Sequence, residues 1–239
     1  MKVLAIIPAR SGSKRIPNKN TKKFLNRPLI SYAIQAAKAS GMVDRIIVST
    51  DSPNIKKVAE KYGAEVPFYR PKHLSEDVPT EKVVLHAVSF IEKKFNIKYD
   101  LILTLEPPAI ARNSTIIKKC VKFFKNKKNK KFDSYLTAVK INERPEWMLK
   151  IENNKSTPIY PLSFFKNKAL FKFPSSKIFK KLYKIIGIVF AIRRNALFKY
   201  QSCVGLNCHA EVLDDKFDLD LDWPHQWRVA ENIIRNKIK

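Results

Sequence analysis

Acidic side chains are scarce in this 239-residue chain. There are 21 Asp and Glu against 47 Lys and Arg, a formal net charge of +26. Glycine is also rare, with 5 residues, where a globular chain carries roughly seven per hundred. The three cysteines are odd in number and scattered. That argues against a disulfide framework and for a reducing, cytoplasmic compartment. No run approaches the roughly eighteen consecutive apolar residues that a membrane-spanning helix needs. The first apolar segment is short and is followed by Pro8 and Arg10, which argues against a secretory signal. What is present is a hydrophobic fraction of 45% and an aromatic fraction of 11%. These are ample for a packed core and exclude wholesale disorder.

The excess of positive charge invites a nucleic-acid reading, which its distribution opposes. Basic residues run along the whole chain and are mostly Lys. The densest run, residues 118–131, falls at the predicted end of a helix and the loop after it. It does not concentrate Arg and aromatics on one face, as nucleic-acid modules usually do. A solvated basic surface with no specific nucleic-acid partner is the expectation, since net charge speaks to solubility more than to fold.

Hydrophobic patterning divides the chain into alternating strands and helices. Val3–Pro8 is a short, β-branched apolar run that predicts a strand buried on both faces. Leu29–Ser40 has helical spacing and stops at Gly41. Strands are predicted at Arg45–Ser49, 64–67, 101–105, 134–139 and 185–192. Helices are predicted at 53–62, Thr80–Phe95, 115–124 and 223–238. Ser52 followed by Pro53 is a helix start signal, and Trp227, Ala230, Ile233 and Ile234 have core spacing on the last helix. This alternation predicts a single α/β layered domain over residues 1–239 with a mostly parallel sheet. Ligands in such folds bind outside the carboxyl ends of the strands. The loops there are 9–20, 50–52 and 106–113. Residues 142–184 break the pattern with Pro145, Pro158, Pro161 and Pro174 and many Lys and aromatics. They read as an inserted subdomain that packs against a second subunit.

Two loops carry chemistry. Residues 9–20 read Ala-Arg-Ser-Gly-Ser-Lys-Arg-Ile-Pro-Asn-Lys-Asn directly after the first strand. Gly12 and the small serines let backbone N–H groups approach a phosphate. Arg10, Lys14 and Lys19 can neutralise a polyphosphate. The loop is neither a Walker A sequence nor a three-glycine dinucleotide fingerprint. The second site is Asp218-Leu219-Asp220-Leu221-Asp222. On an extended strand the three carboxylates share one face. Their repulsion is relieved by a hard cation such as Mg²⁺.

The residues Ile6–Asn20, with the Lys- and Phe-rich link into Arg27-Pro28-Leu29-Ile30, resemble the opening of the acylneuraminate cytidylyltransferases. So do Ile46–Asp51, the Tyr62–Phe68 stretch with Arg70-Pro71, and Leu74-Ser75-Glu76-Asp77 with Pro79-Thr80-Glu81. Together these blocks cover about the first 105 residues. The resemblance implies a Rossmann-like nucleotidyltransferase fold with an inserted dimerisation subdomain at 142–184, and a homodimer. It implies transfer of CMP from CTP to a nonulosonic, sialic-acid-like sugar for cell-surface glycans, with Mg²⁺ and release of pyrophosphate. By this resemblance Arg10, Ser13, Lys14 and Lys19 hold the triphosphate, Lys19 nearest the reacting phosphate. Asn20, Arg70 and Thr80 recognise the cytidine. Asp220 and Asp222 match the family's Asp-x-Asp and hold the metal. Arg10, Lys19 and Asp220 are the expected catalytic residues.

The chain departs from the family after the fourth predicted strand. The family carries Leu-Gln-Pro-Thr-Ser-Pro-Leu-Arg, facing the sugar. This chain reads Leu105-Glu106-Pro107-Pro108-Ala109-Ile110-Ala111-Arg112. Glu106 and Arg112 are the expected sugar-facing residues, and Glu106 repels an acceptor carboxylate unless a cation pairs with it. The family's Asn before a glycine is Ile186, before Gly187. The alternative reading is therefore a CTP-binding homologue with an altered acceptor site and little or no transfer. Cys203, Cys208 and His209 lack a second cluster at zinc spacing. His73 and His86 read as structural.

Overall fold

Val3–Pro8 forms the strand β1, and its neighbours follow in the predicted alternation. The computed structural model describes residues 1–141, 143–145, 148–159 and 181–237. After β1 come β2 (Lys23–Phe24), β3 (Arg27–Pro28), α1 (Leu29–Ser40), β4 (Arg45–Ser49), α2 (Pro53–Lys61) and α3 (Lys72–Ser75). Next are α4 (Thr80–Phe95), β5 (Leu101–Thr104), α5 (Ser114–Lys125) and β6 (Ser134–Lys140). The order ends with β7 (Leu149–Glu152), β8 (Lys155–Pro158), β9 (Tyr183–Arg193), α6 (Arg194–Tyr200), β10 (Cys208–Leu213) and α7 (Pro224–Lys237).

Local chemistry sets the helix ends. Gly41 closes α1 in the left-handed region at φ 60°, where a side chain is strained. The Ser52 hydroxyl accepts from the Ile55 N–H at 3.3 Å at the start of α2, with Pro53 in the first turn. The Asn113 side chain caps α5 in the same way at 3.0 Å. Asn96 ends α4 at φ 51°.

Six strands form the main sheet in the order β10-β6-β9-β5-β1-β4. β1 is parallel to both β4 and β5, and β10 is parallel to β6. β9 runs antiparallel to β5 and β6 and joins the two parallel halves. Alternation along β1 divides the core. Val3, Ala5 and Ile7 pack with α1, α2 and α5, while Leu4 and Ile6 pack with α4 and α6. A third apolar cluster joins Ile16, Phe24, Leu29, Ile110, Leu221 and Trp227. It ties the loop after β1 to α7 and to the Asp-rich segment, so these parts share one support.

Several expectations change. Residues 64–67 are not a strand: Glu65 makes an isolated parallel bridge to Ile47, and Tyr69 makes the next one, to Thr50. The segment 218–222 is not a strand either. A tight turn at Asp215–Phe217 precedes it, and only Asp220 bridges, to Ala109. The proposed insertion ends earlier than 184, because Tyr183 and Lys184 pair with Lys140 and Val139 in the main sheet. Its described part includes the hairpin of β7 and β8. Residues 160–180 lie outside the described residues, so Pro161 and Pro174 and the aromatics among them do too. β10 and α6 were not anticipated.

β9 carries an irregularity that shapes the site. Leu136 pairs with Phe190 but Thr137 pairs with Ile186, so residues 187–189 bulge. The Thr137 hydroxyl donates to the Ile186 carbonyl at 2.8 Å and accepts from the Val189 N–H at 3.2 Å. The Arg112 guanidinium donates to the carbonyls of Gly187, Ile188 and Glu106. Gly187 lies close to Glu106: a Cβ there would stand 2.9 Å from a carboxylate oxygen, which would have to shift. Among the described residues, no helix is long and apolar enough to cross a membrane.

Candidate active site

The carboxyl ends of β1, β4 and β5 open onto a cleft of about 320 Å³. Its floor is the loop after β1, one wall is the segment from Arg70 to Val83, and the opposite wall joins Glu106–Pro108 to Asp220 and Asp222. Arg10, Ser13, Lys14, Lys19, Asn20, Arg70, Thr80, Glu106, Asp220 and Asp222 all line it. Ten of the eleven candidate residues therefore come together.

The exception is Arg112, which does not line the cleft. It is buried at 6% exposure, its Nε and Nη2 donate to three backbone carbonyls, and its Nη1 is buried without a partner. Burial lowers its pKa to about 10, with Glu106 and Asp220 acting in the opposite direction. Its role is to lash the turn at Glu106 to the bulge of β9. Arg112→Ala should cost about 3 kcal/mol, because three buried carbonyls lose their donor. Urea denaturation measures this, and a loss below about 1 kcal/mol would contradict the assignment.

The cleft is balanced in charge, unlike the chain. Five lining residues are basic (Arg10, Lys14, Arg15, Lys19, Arg70) and five are acidic (Glu76, Asp77, Glu106, Asp220, Asp222). Nearly a quarter of the 21 acids gather here. Each wall uses them differently. On one wall, Asp77 bonds Arg10 at 3.1 Å and pairs with Lys14 at 3.5 Å, and Arg10 also donates to the Glu76 carbonyl at 2.6 Å. These contacts with Arg10 and then Lys14 hold the Asp77 carboxyl below its ordinary range. Asp77 is well exposed, so water screens both pairs and an incoming polyphosphate can displace it. Its role was not anticipated, although it lies in a matched block.

On the other wall, Lys19 holds Asp222 at 2.7 Å with little exposure, and the more exposed Arg15 reaches the same carboxylate at 3.4 Å. The shorter, more buried pair dominates. Asp220 has no such cation. One of its carboxylate oxygens is buried without a hydrogen-bond partner. Burial first, then Asp222, raises its pKa, and Lys19 opposes them. Glu106 is raised as well, by burial and then by Asp220. Thr80 donates to it at 3.5 Å, a weak contact. Asp218, the third member of the expected trio, is drawn off by Lys184.

Deeper in the cleft, Arg70 is fixed by the carbonyl and hydroxyl of Ser49. Burial brings its pKa to about 10, with Asp51 opposing. The Asn20 amide donates to the Arg10 carbonyl at 3.0 Å and so staples the loop across its base. Asp51 accepts from the Ser11 N–H and hydroxyl at 2.8 and 2.7 Å. Gly12 has no left-handed φ and nothing within 4 Å of an added Cβ. Neither backbone conformation nor a close protein contact therefore requires glycine at position 12. His86 packs against Phe68 at 5.1 Å, and His209 stacks on Phe123 at 4.3 Å. Both have structural partners. Among the described residues, no group of three His, Cys, Asp or Glu is arranged to hold a metal.

Known proteins place this architecture. Residues 4–204 match the cytidylyltransferase family model. A pseudaminic acid cytidylyltransferase of Campylobacter jejuni is 45% identical over 127 residues, 53% of this chain and 55% of that protein. A CMP-N,N'-diacetyllegionaminic acid synthase of Campylobacter jejuni is 31% identical over 237 residues, 98% of this chain and 96% of its own length. The solved structure of CMP:2-keto-3-deoxy-manno-octonic acid synthetase complexed with CTP superposes with a TM-score of 0.68 at 14% identity, over 99% of this chain and all of that one. That structure speaks to the fold. With the family match spanning most of the chain and a cleft that sets basic residues opposite acids at the strand ends, the chain belongs to the cytidylyltransferases, a family of nucleotidyltransferases.

Proposed function

We propose that this chain transfers CMP from CTP to a nonulosonic acid, releasing pyrophosphate, in the synthesis of a cell-surface glycan. The observation that carries the proposal is the division of the cleft between cations on the loop after β1 and an undercompensated acid at Asp220. Arg10, Ser13 and Lys14 take the outer phosphates, and Asp77 gives up its two cations to them. Lys19, fixed by Asp222, faces the α-phosphate. Asn20, Arg70 and Thr80 hold the cytidine. The acceptor's hydroxyl attacks the α-phosphorus and pyrophosphate leaves on the opposite side. Catalysis is then mostly positioning and charge neutralisation.

Asp220 and Asp222 fit a divalent cation. The unpartnered Asp220 oxygen and the mutual repulsion of Asp220, Glu106 and Asp222 leave a negative spot that hard cations relieve. Two carboxylates suffice for Mg²⁺, which keeps waters and phosphate oxygens as its other ligands. When bound, the ion neutralises phosphate oxygens and acidifies the attacking hydroxyl. A homodimer and a cytoplasmic location belong to the same reading. The three cysteines are free, which suits a reducing compartment.

One observation favours a second reading. Glu106 stands where an amide is usual, beside the acceptor's path, so a CTP-binding protein with little transfer is the alternative. Thermal shift with nucleotides and Mg²⁺ tests the shared half. CTP at about a hundredfold over its Kd stabilises by about 2.7 kcal/mol, or roughly 5–11 °C at this size, and ATP, GTP and UTP should not. Pyrophosphate release over a panel of nonulosonic acids tests the rest. Binding without release from any of them would select the second reading.

A further inference from the structure

The turn between α3 and α4 carries Glu76 and Asp77 and meets the loop after β1 through Arg10. The two ends of that guanidinium do different things. Nη1 donates to the Glu76 carbonyl at 2.6 Å, and Nη2 donates to Oδ1 of Asp77 at 3.1 Å. The Arg10 backbone is pinned by the Asn20 amide at 3.0 Å. Arg10 therefore keeps its place when Asp77 leaves, and Nη2 is released to another anion. Lys14 stands 3.5 Å from Oδ2 of the same carboxylate. Asp77 thus offers one oxygen to each cation, as a phosphate would. Its side chain is 73% exposed, whereas that of Arg10 is 29% exposed. The acid is the member of this cluster that solvent can receive, and the guanidinium is the member that stays.

We propose that Asp77 is a specificity-determining residue that makes the cleft count phosphates. It competes internally for the outer-phosphate cations, so a ligand must carry enough charge to displace it from both. The inference rests on the CMP-transfer reading above, which seats the outer phosphates at Arg10 and Lys14 and the α-phosphate at Lys19. CTP and pyrophosphate then bind against Asp77. CMP, with its one phosphate at Lys19, does not. The competition weakens the product pyrophosphate as much as it weakens CTP. Asp77 reclaims its cations as pyrophosphate leaves, which keeps the product from being retained. Both pairs are open to water, so the competition changes affinity by about threefold to tenfold.

Calorimetry on the full-length protein with Mg²⁺ measures the dissociation constants of CTP, CMP and pyrophosphate. Asp77→Asn and Asp77→Ala should each tighten CTP and pyrophosphate by about threefold to tenfold and leave CMP within about twofold. Agreement between the two variants separates loss of the charge from a new amide contact. Asp77→Glu keeps the charge and should stay within about twofold of wild type for all three ligands. The gain should shrink as salt rises from about 0.1 to 0.5 M, because exposed pairs are screened. If either neutral variant binds CTP and pyrophosphate no tighter than wild type, the proposal is overturned and Asp77 is a support for the loop. Tightening of CMP to the same degree as CTP also overturns it, since the effect is then one of general charge and not of phosphate number. So does Asp77→Glu binding as tightly as the neutral variants. Wild-type protein that prefers no nucleoside triphosphate would instead sink the CMP-transfer reading, and pyrophosphate binding across the variants would still decide the role of Asp77.

Discussion

Lys19→Ala should lower kcat by at least about a hundredfold, the scale of losing a main charge stabiliser. Lys19 is the most enclosed cation facing the Asp-rich wall, with its ammonium 2.7 Å from Asp222 and its side chain 16% exposed. Enclosure raises the value of its charge, because water does not screen it as it screens Lys14. Charge on the α-phosphate oxygens is redistributed as the acceptor attacks, so a fixed ammonium there acts on the transition state more than on bound CTP. The KM for CTP should therefore change much less than kcat, since Arg10, Lys14 and Arg70 remain. Arg15 does not replace Lys19, being half exposed and 3.4 Å from the same carboxylate. Steady-state kinetics at saturating acceptor give the split. A variant with wild-type kcat, or one whose whole defect lies in the KM for CTP, would contradict the role assigned to Lys19.

Sequence and structure agree most closely where one physical signal dominates. Buried parallel strands such as Val3–Pro8 and Arg45–Ser49 are unbroken apolar runs. Helices such as Leu29–Ser40 and Thr80–Phe95 have both periodicity and a stop residue. The cleft loop after β1 was legible because a rare glycine and serines sit among cations directly after a strand. β10 was missed because Cys208–Leu213 mixes polar and apolar residues at a sheet edge, half exposed along its length. Its Cys and His looked like weak ligands, whereas His209 is a packing residue on Phe123.

The Asp-rich segment was legible in composition and misread in geometry. Alternation predicted a strand with three carboxylates on one face, but no neighbouring strand pairs with it beyond the bridge at Asp220. The three acids then separate by partner: Asp218 goes to Lys184, Asp222 to Lys19, and Asp220 is left over. Arg112 shows the complementary error. Its position in the segment that the family turns toward the sugar suggested ligand contact, and only tertiary structure reveals that carbonyls of the bulge in β9 take its Nε and Nη2. Long-range demands of this kind leave no local trace in a sequence.

Asp220→Asn should abolish turnover to within about one part in a hundred while making the free protein more stable. The two effects share one cause. Asp220 is a carboxylate whose pKa is raised by burial and by Asp222. A folded-state pKa above the unfolded value means that the native state binds more protons between the two. Stability then falls as pH rises through that window, and the cost persists above it. Asparagine carries no charge to desolvate or repel, so the variant should melt higher than wild type at pH 7–8. The gain should be about 2–4 °C for each kcal/mol relieved. It should shrink towards zero as pH drops through the ordinary carboxylate range, below which Asp220 is protonated in both states. Saturating Mg²⁺ with CTP should reverse the order of melting temperatures, because only wild type gains the stabilisation of a bound cation at this site. Melting curves from pH 4 to 8, with and without ligand, read all three signs. A variant that melts below wild type in the free state at neutral pH, or that keeps wild-type turnover, would show that Asp220 is held for the fold and not for the phosphates.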